Sequence, residues 1–120
     1  MKLEDIESGK NVTEVVVRVM SKAPPRIITT RSGRKTQLTE VLVADETMSV
    51  ILSLWGFGEG SKILVGKVIK ILNGWAKEWQ GQIQLSLGKA GTFEEIDDDG
   101  TVPSITDLRT MLERERTPTS

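Results

Sequence analysis

Val50-Ile-Leu-Ser-Leu-Trp55, closed by Gly56, decides the class of the fold. Branched and aromatic residues fill the run, and a glycine bounds it, as in a β-strand. Alternation puts Val50, Leu52 and Leu54 on one face and Ile51, Ser53 and Trp55 on the other. Upstream, Thr36–Ala44 is a similar run, joined to the first by a polar turn at Asp45–Ser49. Further out, Val12–Met20 sets Val15, Val17 and Val19 on one face, and Arg31-Ser-Gly-Arg-Lys35 reads as a glycine hairpin turn before the next strand. Downstream, Lys67–Leu72 and Gln82–Leu87 complete the set, the last with Ile83, Leu85 and Leu87 inward. Phe57–Gly66 is too short and too glycine-rich for more than a turn or two of helix.

Five short strands cannot make a large sandwich, and a flat sheet of five would leave exposed edges. Closing the sheet on itself removes the edges. The expectation is an all-β, five-stranded OB-fold barrel with a short C-terminal helical tail; an SH3-like barrel is the rival that pattern alone does not separate. Residues 1–96 form the expected binding domain. Residues 97–120 read as an acidic linker and a candidate amphipathic helix. Ser104 is placed as its N-cap, and Ile105, Leu108, Met111 and Leu112 form one stripe of a helix running to Arg116. A flexible linker and a helix used for a protein partner are expected there.

Composition then narrows the function. The chain has 120 residues with 16 Lys+Arg against 17 Asp+Glu, so no uniform basic coat exists. From Met1 to Phe93 there are 13 basic and 9 acidic residues, whereas Glu94 to Ser120 holds 3 and 8. A basic body joined to an acidic tail accompanies polyanion binding. Cys and His both number 0, which excludes disulfides, thiolate nucleophiles and the usual zinc sites, and leaves no cofactor to expect. No apolar run is long enough for a membrane span, and Met1–Lys10 is too polar for a signal peptide, so a non-enzymatic, cytoplasmic, nucleoid-associated protein is expected.

The tryptophans carry the chemistry. Trp55 shares a strand face with Ser53, and Trp75 and Trp79 lie in Gly74-Trp-Ala-Lys-Glu-Trp-Gln-Gly81, read as a glycine-bracketed hairpin. A lone Trp in a small domain is ordinarily core, but these three occupy positions outside the expected interior. Exposed aromatic faces beside positive charge suit unpaired bases, each of which has a π-face. Lys22–Lys35 contains Arg26, Arg31, Arg34 and Lys35 and no acidic residue, and Lys77 sits between the two hairpin tryptophans. Such a finger suits a phosphate backbone, although a solvated hairpin has the same composition. Ile28 could pack on a base or sugar, or enter the core. Gly56-Phe-Gly-Glu-Gly60 lacks the spacing and the following helix of a dinucleotide loop.

Taken together, Val50-x-Leu-x-Leu-Trp-Gly56, Gly66-x-Val-Ile-Lys-Ile71 and Gly74-Trp-x-x-x-Trp-x-Gly-Gln-Ile-Gln-Leu85 resemble the crenarchaeal type of archaeal single-stranded DNA-binding protein with one OB fold. They are also similar to the small OB-fold subunit of the human single-strand sensor complex. The resemblance covers about residues 5–95 and implies that Trp55, Trp75 and Trp79 stack bases, with Arg26 and Ile28 in contact with the strand. It departs in the tail, where a candidate helix stands in place of a Gly/Arg-rich extension. The expected activity is sequence-tolerant binding of single-stranded DNA in replication, recombination or repair, with the monomer as the unit. An OB-fold RNA-binding module, or a structural OB subunit docking a protein partner through the tryptophan patch, is the alternative.

Overall fold

Barrel closure falls to one long strand. In the computed structural model, β1 (Asn11–Lys22) pairs along its first part with β5 (Val68–Trp79), from Asn11↔Trp75 to Arg18↔Val68. Its last part pairs with β3 (Lys35–Ala44), from Arg18↔Ala44 to Lys22↔Val41, and a register shift between Val19 and Ser21 turns it from one partner to the other. A bulge of this kind bends a strand sharply enough to serve both edges of a small barrel. β4 (Ser49–Trp55) pairs antiparallel with β3, and β6 (Gln82–Ser86) pairs parallel with β4 and antiparallel with β5. The ring β1-β3-β4-β6-β5 returns to β1 and leaves no open edge in the barrel. This is the expected five-stranded OB barrel, followed by the expected helix, α1 (Ile105–Arg116). The structure describes residues 1–87, 91–98, 100 and 102–116, the side chains of Trp79 and of residues 112–116 excepted.

The interior follows the alternation. Val15, Val17, Val19, Val41, Val43, Leu52, Leu54, Ile69, Ile71 and Leu85 are buried and pack as one cluster. Burying each such side chain fully is worth about 1.5–3 kcal/mol. Leu3 and Ile6 join this core from the N-terminal segment, and Ile63 enters it after the 3-10 turn Glu59–Lys62. That turn seats on β3 because Gly60 has no side chain; a Cβ there would stand 2.6 Å from Thr39 Cγ2. Lys22 Nζ holds the same turn by donating to the carbonyls of Gly60 at 3.0 Å and Ile63 at 3.2 Å.

Two short strands lie outside the closed ring. β2 (Arg26–Thr29) pairs with β3, and β7 (Thr92–Ile96) pairs with β5. Sequence reading leaves both as loop because each is an edge element of four or five residues with little buried surface to mark a face. β5 also extends further than expected. The stretch read as a hairpin from Gly74 to Gly81 is strand as far as Trp79, and the turn itself is only Gln80-Gly81, with φ of +51° and +79°. Positive φ at both central positions is the type I′ geometry that matches strand twist. Gly74 is instead a packing point inside the strand: a Cβ there would lie 3.3 Å from Ile71 Cγ2 and 3.4 Å from the Ser86 carbonyl. Asn73, with φ +54°, supplies the bend.

The C-terminal segment differs from the expectation of a flexible linker. The outward face of β1 carries Val16, Arg18 and Met20, and with Ala44, Val68 and Ile96 it forms a second apolar cluster closed by Val102, Ile105 and Leu108. Arg18, 5% exposed, is the centre of the contact. It donates to the carbonyls of Pro103 (2.7 Å), Gly66 (2.8 Å) and Val102 (3.0 Å) and pairs with Asp98 at 3.0 Å. Ser104 is the N-cap: its Oγ accepts the Asp107 N–H at 3.2 Å. The helix is therefore tied to the barrel through its first turns.

Replacing Arg18 with Met should leave three carbonyls without their donor, and should lower the unfolding free energy by about 2–4 kcal/mol. Urea unfolding of the full chain tests this. An unchanged midpoint would show that the segment is held by its apolar contacts alone.

Candidate functional site

The outward face opposite this cluster is built by register. Arg26 on β2 stands across from Leu38 on β3, and Leu38 across from Trp55 on β4. One step along the strands, Glu40 pairs with Ser53, Ser53 with Ser86, and Ser86 with Trp75 on β5. One step further, Gln84 pairs with Lys77. Strand alternation sends all of these residues outward together. They line one groove of about 570 Å³ with Trp55 near one wall and Trp75 and Lys77 on the other side.

Trp55 is 52% exposed and Trp75 is 45% exposed, so each presents indole surface to water. Trp75 is not at a hairpin tip; it is part of the strand wall, four residues before Trp79, and its position is set by pairing with both Asn11 and Ser86. The backbone of Trp79 pairs with Gln82 beside the turn, and its side chain lies outside the described residues. The Ser53 face is outside the barrel as expected, but Ser53 itself is 9% exposed and forms the groove floor rather than a wet rim.

The cations divide into two groups. Arg26 lines the groove but is paired with Glu40 at 3.0 Å, so part of its charge is already answered. Lys77 lines the groove, is exposed and makes no ion pair among the described residues. Arg31, Arg34 and Lys35 do not line it. They stand exposed at the end of the β2–β3 hairpin, whose turn is closed by Thr30 N–H to the Arg34 carbonyl at 2.8 Å and Gly33 N–H to the Thr30 carbonyl at 2.9 Å. Gly33, with φ +82°, makes that turn. From Arg26 to Thr29 the hairpin runs about 10 Å past the groove. Ile28, half-buried, sits on β2 opposite Thr36 and lines no part of the groove.

Sequence reasoning passed over Leu38, Glu40, Gln84 and Ser86. Gln84 and Ser86 were legible, being the positions that alternate with the inward Ile83 and Leu85. The Glu40 pairing was not, since it depends on the β2–β3 register. An open groove between two aromatic side chains, floored by small polar side chains and flanked by Lys77 and the Glu40-paired Arg26, is suited to a flexible polyanion with planar groups.

The chain is similar to proteins already described. Residues 6–95 match the family described as single-stranded DNA binding protein Ssb-like, OB fold. The single-stranded DNA binding protein Ssb of Saccharolobus solfataricus is 37% identical over 99 residues, covering 82% of this chain and 66% of that protein. This chain thus spans about two thirds of that relative's length. The replication factor A related protein of Methanobacterium thermoautotrophicum superposes with a TM-score of 0.66 at 30% identity, over 81% of this chain and 90% of the other. Fission yeast Pot1, crystallised with single-stranded DNA, shares the fold with a TM-score of 0.67 at 12% identity, over 94% of this chain and 44% of its own.

With Trp79 replaced by Phe, emission from Trp55 and Trp75 should be red-shifted and readily quenched by acrylamide. A blue-shifted emission that resists acrylamide would place these indoles in the core.

Proposed function

The chain belongs to the Ssb-like family of single-stranded DNA binding proteins with an OB fold, and on that footing we propose that it binds single-stranded DNA through this groove, with little regard to sequence. The observation that carries the reading is the pair of exposed indoles, Trp55 and Trp75, lining one groove with Lys77, which has no ion pair among the described residues. Each base stacked on such a face contributes about 1–3 kcal/mol, whatever its identity, because every base has a π-face. Trp79 extends the same role along β5. Arg26, Lys77 and the hairpin cations Arg31, Arg34 and Lys35 neutralise phosphates and release counterions. Ile28 supports the β2 edge rather than the bases. Binding, not catalysis, is the whole of the activity, and no cofactor takes part.

Residues 1–96 carry the binding surface, and one copy of the chain suffices. Val102, Ile105 and Leu108 cover the outward face of β1 away from the groove, and the exposed Met111 side of α1 is left for a protein partner. Among the described residues no helix is long and apolar enough to cross a membrane; the proposed place of work is the cytoplasm, on exposed DNA strands in replication, recombination or repair.

Titration with oligo-dT, read by tryptophan quenching, separates the two energy sources. Trp75→Ala should weaken binding by about 1–3 kcal/mol with little change in salt dependence. Lys35→Ala should instead reduce the slope of log K against log salt by about 0.7, with quenching at saturation intact. Glu40→Gln, which releases Arg26, should tighten binding at low salt and steepen the slope. Native protein that shows neither quenching nor salt-dependent binding would sink the proposal, and stronger binding to matched rU than to dT would redirect it to RNA.

A further inference from the structure

Phe57 is 63% exposed, more than either described tryptophan, and the groove between Trp55 and Trp75 does not use it. The loop that carries it is firmly held. The Gly56 N–H donates to the Gln37 carbonyl at 2.8 Å, and the Gly58 N–H donates to Gln37 Oε1 at 3.1 Å. One residue of β3 thus grips the backbone on both sides of the ring. Gly56 and Gly58 permit this with φ of +125° and +78°, values that other residues rarely adopt. A large ring held out in water by a braced loop is presented, already positioned, to whatever binds beside it.

The surroundings indicate what binds there. A second groove, of about 370 Å³, is lined by Ser53, Leu54, Trp55, Glu59, Leu87 and Gly91. It shares Ser53 and Trp55 with the first, so the two grooves meet at Trp55. Trp55 and Glu59, two residues before and two residues after Phe57, both belong to its wall. Two residues of chain separate the Cα atoms of Trp55 and Phe57 by at most about 7 Å. That is about two stacked nucleotide steps of ~3.4 Å along a strand. Glu59, whose charge alone would repel a phosphate, is paired with Lys62 at 3.1 Å. The exposed Leu64 and Val65 that follow offer no π-face.

We infer that Phe57 is a further base-stacking platform, which carries the bound strand past Trp55 into the second groove and lengthens the site on that side. This rests on the reading of the first groove as a single-stranded DNA site. The ring is not a tryptophan and is silent in fluorescence quenching, so affinity against oligonucleotide length is the measurement. Fluorescein-labelled oligo-dT of about 4 and about 12 nucleotides, lengths that bracket an OB site, would be titrated with the full chain and its variants. Phe57→Ala should weaken the longer oligonucleotide roughly five- to tenfold and leave the shorter unchanged, whereas Trp75→Ala weakens both. Phe57→Tyr, which keeps the π-face, should restore the native affinity. Native affinity of Phe57→Ala for both lengths, with Trp75→Ala impaired, overturns the inference and leaves the groove's function standing. Equal losses at both lengths also overturn it, since the ring would then act through Trp55. Failure of the native chain to bind either length removes the underlying reading.

Discussion

The fold turns on β1 having to hydrogen-bond to β5 and β3 at once. A small sheet satisfies its edges only by closing, and closure requires one strand to bend between two partners. The shift between Val19 and Ser21 provides the bend. Once the ring is closed, every inward position must be apolar and every outward one must find another use. Val17 and Val19 fill the interior from the same strand whose outward Arg18 and Met20 meet the C-terminal segment. The same closure aligns β3, β4, β6 and β5 so that Trp55, Ser53, Ser86 and Trp75 come into adjacent rows. No side-chain contact has to hold the tryptophans apart; the backbone ladder does so. Such a platform has little to reorganise when a ligand arrives, and affinity is not diminished by ordering it.

The two energetic terms are separately placed. The aromatic surface lies on the groove wall, whereas Arg31, Arg34 and Lys35 stand outside it on the β2–β3 hairpin. Arg26 marks the junction, and Glu40 holds it at 3.0 Å. Exposed ion pairs contribute little to stability, about 0–1 kcal/mol, so this one is poorly explained as a fold element. It does orient the guanidinium over the groove and moderates the charge there. A groove with less charge and more stacking loses less affinity as salt rises than one that relies on phosphates alone.

Much of this was legible in the sequence, for a physical reason. Alternation is a local property, and it identified the five barrel strands, the inward Val15, Val17, Val19 and Leu85, and the outward Trp55. Register is a non-local property, and what depended on it was missed: β2 and β7, the pairing of Arg26 with Glu40, and the place of Trp75 in a strand wall. Gly74 misled because glycine has two uses. It was read as the start of a turn, but it serves close approach to Ile71 and Ser86 inside a strand. The Ser104 cap was visible because a cap is local, whereas the docking of α1 was not. One filled interior is enough for so small a barrel, and nothing in the β1 pattern announces that Val16 and Met20 also need cover.

That second cluster bears on how an acidic tail can coexist with a site for a polyanion. From Glu94 onward the chain has 8 acidic and 3 basic residues, and the stretch after Ile96, left free, would compete for Arg31, Arg34 and Lys35. Arg18 binds it elsewhere: Asp98 and the carbonyls of Val102 and Pro103 converge on one guanidinium on the outward face of β1. Along β3 the outward residues pass from Leu38 and Glu40, which line the groove, to Leu42 and Ala44, which meet the helix cluster. The two surfaces therefore share a strand without overlapping. The barrel exterior is divided into a covered part and an open part, and the open part holds the indoles with Lys77, Arg31, Arg34 and Lys35, which make no ion pair among the described residues.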